Sequence, residues 1–384
     1  MIAIIELYQH DEVLRHYCDL LQKSNQKVSI FCSRVVYEML NKRYSHSAFH
    51  WVVKEDKARI SVFLKSNYSL IQQAKLVFIT TALTDFKAFY QVSKIANTFL
   101  LVHNVHSFLA PDSFLTLADQ QIYDRLRLLK IRINRAHFYK KQLLQNLAGL
   151  IFPTETMLRY VKNNFKTPAH LKLEALPFAY YNPSDQPVAS QNKITITVPC
   201  TVISEHRDYR SVIDAIKNIQ DKFIKDVQLV LLGQPKEDGL EIISDFKKLE
   251  SQTLKIISFN RTIPTEVYDN WLATSDFLIL PLKAFGRNHI YKEQLGYSKI
   301  SGGVNDMIRF GIPALIPGHY PLEPALEEMV QRYDNNQLGD LLLLWVNQGQ
   351  FFNHKTKTGL ALANYSLKKM QLVFYQKVEL LLKD

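Results

Sequence analysis

Short apolar runs alternate with amphipathic stretches from the first residues of the chain onward. Ile2 to Leu7 is a strand-length apolar run, Asp11 to Gln22 places Leu14, Cys18 and Leu21 on one side of a helix, and Lys27 to Cys32 is a second strand. Further strands are predicted at Phe49 to Val53, Leu76 to Thr80 and Phe99 to His103, with helices over Ser66 to Ala74 and Asp85 to Ile95. A long helical stretch spans Asp112 to Asn146, and Leu150 to Pro153 followed by Thr154 to Asn164 repeats the strand and helix pair. Strands apolar on both faces and separated by helices make a parallel sheet covered on both sides.

The rhythm breaks where Pro177, Pro183 and Pro187 stand among small polar residues. It then resumes with strands at Ile194 to Val198, Gln228 to Leu232, Leu254 to Phe259 and Phe277 to Leu280. Helices lie between them at Tyr209 to Gln220, Leu240 to Glu250 and Thr265 to Thr274. A short helix Val304 to Phe310, a strand Ile312 to Ile316 and two helices, Pro321 to Gln331 and Leu360 to Leu382, complete the chain. The fold class expected is α/β, with two Rossmann-like domains at 1–178 and 193–360 whose parallel sheets face across a cleft. A linker at 179–192 joins them, and a closing helix at 361–384 is expected to pack back on the first domain. A length of 384 residues suits two cores better than one.

Composition narrows the function classes. Hydrophobic residues at 47% with 22% charged residues describe a fully folded globular chain. Cys18, Cys32 and Cys200 lack the spacing of a zinc site or a disulfide framework and suit a reducing cytoplasm. Met1 to Ile5 meets Glu6 at once and reads as a first strand, not a signal peptide, and no apolar run is long enough to cross a bilayer. The net charge of +11 calls for a polyanionic partner or surface. Arg125 to Lys141 carries seven basic residues and no acid, interleaved with Leu128, Leu129, Ile131, Ile133 and Phe138. It reads either as a helix lying on an anionic membrane face or as a solvated helix with one buried side. No helix-turn-helix, RNP-like or zinc-finger pattern accompanies the charge, so nucleic acid is not expected as a partner.

Candidate chemistry collects at the ends of predicted strands. Only Gly149 of the 12 glycines precedes Gly233, and neither GxGxxG nor a Walker-type loop occurs, which argues against a classical dinucleotide or P-loop site. Ser298, Lys299, Ser301, Gly302 and Gly303 instead form a small-residue loop at the mouth of a helix, where unpaired N–H groups meet an anion. The alternative is that the glycines only allow helix and sheet to pack closely. Arg207, in Ser204 to Arg210, is placed to clamp a diphosphate, or else to pair with Glu205 or Asp208 at the surface. Asn260, Arg261, Lys283, Arg287 and Lys292 extend a positive rim. Asp306 and Glu293 flank the loop, suited to sugar or ribose hydroxyls, although Asp306 also suits the helix dipole. The strand ending at His103 empties into Asn104, Val105 and His106, where imidazoles and an amide are placed for proton exchange or sugar contacts. A metal would need further ligands that no nearby sequence supplies.

These residues together resemble a known family. LVHNVH, GLIFPTETMLRYV, LPFAYYNPSD, VPCTVISEHRDYRSVIDAI, ATSDFLILPL and NDMIRFGIPALIP are similar, in order, to segments of GT-B-fold glycosyltransferases, nearest to glycosyltransferase family 4. The resemblance covers almost the whole chain and marks it as a divergent member. It implies a metal-independent, hexosyltransferase-type enzyme that moves a sugar, with retention, from a nucleotide-sugar donor to a glycan or lipid-linked acceptor in cell-surface polysaccharide biosynthesis. No cofactor is expected beyond the donor, no DxD motif occurs, and fixed positive charge would replace a metal at the departing diphosphate. The expected location is cytoplasmic, peripheral on the inner face of the cell membrane.

Under this resemblance His103, His106 and Asp306 are the catalytic candidates. Arg207, Asn260, Arg261, Glu293, Ser298, Lys299, Ser301, Gly302 and Gly303 bind the donor, and His10 and Asn104 bind the acceptor. The family's two glutamates, seven residues apart, are not intact: Asp306 matches the second and Ser298 stands at the first. The arginine of its G-R-L segment gives way to Thr201 and Val202, and its glycine-rich acceptor loop to Gln9, His10, Asp11 and Glu12. A degenerate relative that holds a nucleotide sugar without transferring it, acting as a binding or scaffold protein, is the alternative.

Overall fold

A computed structural model describes every residue except 9, 23, 25, 45–47, 110–132, 134, 182–192, 289, 290 and 384. The chain divides into two units. The first comprises Met1–Phe178, Asn288–Glu293 and Leu367–Asp384, and the second Ala179–Arg287 and Gln294–Ser366. Most of the expected linker and most of the basic stretch Arg125 to Lys141 lie outside the described residues.

Seven described strands build the first unit's sheet: β1 Ile2–Glu6, β2 Val28–Ser33, β3 His50–Lys54, β4 Leu76–Ile79, β5 Thr98–Leu101, β6 Gly149–Phe152 and β7 Lys172–Ala175. Their order is β3-β2-β1-β4-β5-β6-β7, all parallel, with Ile2 opposite Val28 on one side and Leu76 on the other. β1 is central and buried throughout, as its unbroken apolar run requires. The chain reverses direction across the sheet between β1 and β4, which opens a crevice at their carboxyl ends. The helix Leu367–Lys383 belongs to this unit: Phe374 packs its ring on Tyr17 and Phe78, and Gln371 and Tyr375 donate to the carbonyls of Asp19 and Leu20.

The second unit carries β8 Lys193–Pro199, β9 Asp226–Leu232, β10 Leu254–Ser258, β11 Phe277–Ile279, β14 Ala314–Pro317 and β15 Val330–Tyr333 in the order β10-β9-β8-β11-β14-β15. A separate two-stranded ribbon pairs β12 Phe285–Asn288 with β13 Tyr291–Gln294. The switch point here lies between β8 and β11. Behind the sheet, Phe277 meets Trp345 edge to face at 4.9 Å and Phe351 at 5.6 Å, forming the aromatic centre of the core.

Several elements differ from the sequence expectations. β7, Lys-Leu-Glu-Ala, forms a strand because β6 offers a free parallel edge. The helix expected over Pro321 to Gln331 is a 3-10 turn, Pro324–Met329, that delivers Val330 into β15. The stretch between, where no element was expected, forms two helices, Leu338–Gln348 and Phe351–Ala361, separated by Gly349 with φ of 67°. The final helix accordingly begins at Leu367, not Leu360.

Candidate functional site

In the second unit the carboxyl end of β8 runs into Cys200, whose φ of 79° turns the chain sharply. No side chain larger than glycine fits at Gly233, the residue after β9: a Cβ there would stand 1.9 Å from the Cys200 carbonyl oxygen. The loop after Cys200 is fastened to the segment that follows β11. Asp208 N donates to Pro281 O at 2.7 Å, Lys283 N donates to His206 O at 3.1 Å, and Arg207 bridges Leu282. Arg207 is thereby held at the β8/β11 switch point.

Arg207 is 8% exposed, and its Nη1 donates to Thr201 O at 3.1 Å. Neither Glu205 nor Asp208 pairs with it; its other hydrogen bond goes to Cys200. A guanidinium taken out of water without a carboxylate is costly, and an anion delivered from outside would offset that cost. More positive charge faces the same place. His206 is held neutral, its pKa pushed down to about 4 by burial first and then by Lys299, Arg207 and Lys283.

The helix Gly302–Phe310 opens beside Cys200. Ser301 caps it, its hydroxyl accepting from Gly303 N at 3.3 Å, while Ser301 N donates to the buried Tyr320 hydroxyl at 3.2 Å. The two glycines have different reasons to be glycine. At Gly303 a Cβ would press on Leu280 at 2.8 Å and Pro199 at 3.2 Å, so this residue lets helix and sheet pack closely. Gly302 is exposed, and a Cβ there would only touch Cys200 Sγ at 3.4 Å; it leaves the helix mouth uncovered.

The other expected donor residues, and the catalytic candidate Asp306, are placed differently. Ser298 is fully buried; its hydroxyl accepts from Gln294 N at 2.7 Å and donates to Gln294 O at 3.2 Å, closing the turn that presents Lys299. Asp306 is 2% exposed and faces a neighbouring helix, Thr265–Ala273. Its carboxylate accepts from the Tyr268 hydroxyl at 2.7 Å and from Arg309, which also grips Asp269. Asn260 and Arg261 are exposed on the turn after β10. Glu293 falls in the first unit, with the 288–293 segment.

That unit builds its own constellation at the β1/β4 switch point. Glu6, at the end of β1, is completely buried and accepts from the hydroxyls of Thr80 and Thr81 and from Tyr8 N. His103 Nε2 donates to Thr80 O at 2.7 Å, and its ring stacks on His10 with centroids 4.7 Å apart. Residues 93 positions apart in sequence are thus joined. Asn104 Oδ1 is buried without a partner.

His106 is held on all sides. Its Nδ1 bonds Lys292 O at 2.6 Å and its Nε2 bonds the Tyr160 hydroxyl at 2.8 Å; since a carbonyl only accepts, Nδ1 carries the proton in the neutral ring. Glu293, fully buried, accepts from His106 N at 3.1 Å and Ser107 N at 2.9 Å, satisfying the first turn of the helix Val105–Leu109. Tyr160 has a raised pKa, from burial first and then the Glu293 charge. Glu6, His206, Tyr268, Tyr320 and Tyr160 were not singled out as site residues by the sequence. The signal for Glu6 was an acid ending an otherwise apolar strand; the others carry none. Among the described residues no cluster of three or more His, Cys, Asp or Glu is arranged to hold a metal, and no helix is long and apolar enough to cross a membrane.

No protein-family model matches the chain, and no curated protein does. Solved structures do. HepE of Anabaena in complex with UDP is similar with a TM-score of 0.62 at 10% identity, over 98% of this chain and 99% of that one. An α,α-trehalose-phosphate synthase (UDP-forming) from Burkholderia vietnamiensis gives 0.55 at 11% over 100% and 99%. The lipopolysaccharide outer core galactosyltransferase WaaB, in its apo form, gives 0.53 at 9% over 98% of both chains. At such identities the likeness is one of fold: the chain is an α/β protein with two parallel sheets and has the GT-B fold.

Proposed function

We propose that the protein is a glycosyltransferase that uses a nucleotide-sugar donor. The observation that carries this reading is the buried Arg207, without a carboxylate partner among the described residues, beside an uncovered helix mouth at a strand switch point. Arg207, Lys283 and Lys299 would receive the diphosphate together with the exposed Gly302 at the mouth of the helix Gly302–Phe310. Solved structures of the same fold include HepE with UDP-glucose, which supports a donor of that class. In the transfer, the bond between sugar C1 and the diphosphate oxygen breaks, and the acceptor oxygen bonds C1. The acceptor proton leaves on the diphosphate. Fixed cations would stabilise the leaving charge without a metal. The resemblance to family 4 supports retention of configuration and a cell-surface glycan or lipid-linked acceptor, with His10, His103 and Asn104 meeting acceptor hydroxyls.

A thermal-shift panel of nucleotide sugars tests the reading, because a ligand that binds only the folded state raises the midpoint by mass action. A panel that leaves the midpoint unmoved overturns it. Chelation by EDTA should leave transfer unchanged. Ser298 and Asp306, both engaged inside the fold, favour the second reading of a nucleotide-sugar-binding protein without transfer. Slow hydrolysis of a bound donor without acceptor would count against it. Exposed Ile133 and Phe138 beside Arg135 and Lys141 support peripheral attachment to an anionic membrane on the cytoplasmic side. Flotation with anionic and neutral liposomes tests this, and equal recovery in both removes it.

A further inference from the structure

The net charge of +11 is only partly accounted for by a diphosphate seat, and the first unit has a second concavity far from its strand switch point. It is a groove of about 730 Å³ along β3, the edge strand, and the turn that leads into β2. That volume suits a small-molecule or oligosaccharide ligand. None of Glu6, Thr80, His103 or Asn104 lines it.

Three kinds of group meet there. Tyr37 and Trp51 form an aromatic wall, packed edge to face at 5.5 Å, with Phe49 behind Trp51 at 6.1 Å. Gln22, Ser24 and Gln26 line it before β2, and neither glutamine amide has a side-chain hydrogen bond among the described residues. Lys27 and Arg34 supply positive charge; Arg34 is held by Glu55, while Lys27 is exposed and makes no ion pair among the described residues. Among the described residues no carboxylate lines the groove. Trp51 Nε1 is buried and has no hydrogen-bond acceptor among the described residues.

An aromatic wall suits the C–H face of a sugar ring, amide side chains suit its hydroxyls, and an uncompensated lysine suits an acidic substituent. We infer that this groove is a binding site for an acidic oligosaccharide, separate from the nucleotide-sugar seat and independent of whether the second unit transfers sugar. It would hold a length of charged glycan on the first unit away from its reacting end.

The chain has three tryptophans, Trp51, Trp271 and Trp345, so protein labelled with 5-fluorotryptophan gives a short and assignable fluorine spectrum. Titration with tetragalacturonate should move the Trp51 resonance saturably and leave those of Trp271 and Trp345 in place. UDP-glucose should not move it. Maltotetraose, neutral and of the same length, should bind at least about tenfold more weakly, a difference of ~1.4 kcal/mol. Trp51→Phe should abolish the titratable resonance, and Lys27→Ala, a surface change that leaves folding intact, should weaken affinity at least threefold by calorimetry. Absence of a saturable Trp51 shift, unchanged affinity in Lys27→Ala, or tighter binding of a single-stranded oligonucleotide would each overturn the inference. So would sedimentation showing that the β3 edge is covered by a second copy of the chain. Failure of UDP-glucose to bind anywhere would bear on the transferase reading alone.

Discussion

Glu293 offers a sharp test of how the first unit holds His106. Its carboxylate is completely buried and accepts from two backbone amides, His106 N at 3.1 Å and Ser107 N at 2.9 Å. Glu293→Ala leaves two part-buried donors unpaired; at about 1.5 kcal/mol each, the low end of the range for a stranded donor, a local loss of about 3 kcal/mol is expected. Glu293→Gln keeps one acceptor oxygen but turns an NH₂ toward the other amide; it should cost about half as much, ~1.5 kcal/mol. The two units need not unfold together, so a global midpoint would blur the effect. Amide hydrogen exchange at His106 and Ser107 reads it directly. Glu293→Ala should speed exchange there by about 100-fold, since 1.4 kcal/mol is tenfold, and leave exchange in β8 and β9 unchanged. Exchange within threefold of wild type in Glu293→Ala, or a larger effect of Gln than of Ala, would refute the reasoning.

The two glycines of the helix mouth should separate stability from binding. Gly303→Ala meets Leu280 and Pro199 and should cost about 1–3 kcal/mol by urea unfolding, whereas Gly302→Ala meets only ordinary contact and should unfold like wild type while binding donor less well. Equal stability of the two variants would refute the distinction. Acid should also act through histidine. His206 and His16 are held down to about 4 and about 3, each by burial first and nearby cations second. The unfolded chain therefore binds protons that the folded one does not. Stability is present in full above the ordinary histidine pKa of about 6.5 and falls as pH drops below it. Thermal midpoints should follow this course from pH 7 to pH 4, and His206→Gln should flatten part of it; an unchanged slope would remove His206 from the account. A bound diphosphate raises the His206 pKa, so donor affinity should be higher at pH 5.5 than at pH 7.5, with proton uptake in calorimetry. Affinity independent of pH would count against that placement.

The fold was legible because its central strands are apolar on both faces. β1, β4 and β9 show this in three or more consecutive residues, β8 alternates Ile and Val with buried Thr195 and Thr197, and the helices between them cover both sides. Elements with polar alternation escaped: β7 is Lys-Leu-Glu-Ala, and the β12/β13 ribbon is Phe-Gly-Arg-Asn and Tyr-Lys-Glu-Gln. Their pairing depends on neighbours that local sequence does not carry. The same limit applies to the site. The Ser301 to Gly303 cap was legible because loop, cap and helix are contiguous, and Arg207 because it stands between an apolar strand and the helix Tyr209–Lys217. Which way Asp306 turns depends on Tyr268, 38 residues earlier, and the place of Glu293 depends on amides 186 and 187 residues away. A carboxylate next to an expected anion seat could be read from spacing; the partner that takes it could not.

The central claim is that the buried Arg207 awaits an anionic donor. Calorimetric titration of nucleotide sugars into wild-type protein and Arg207→Ala measures it most directly. The account predicts saturable binding of at least one donor by the wild type and at least about tenfold weaker binding by the variant, or ~1.4 kcal/mol, at unchanged thermal stability or higher. Wild-type affinity in Arg207→Ala would contradict it.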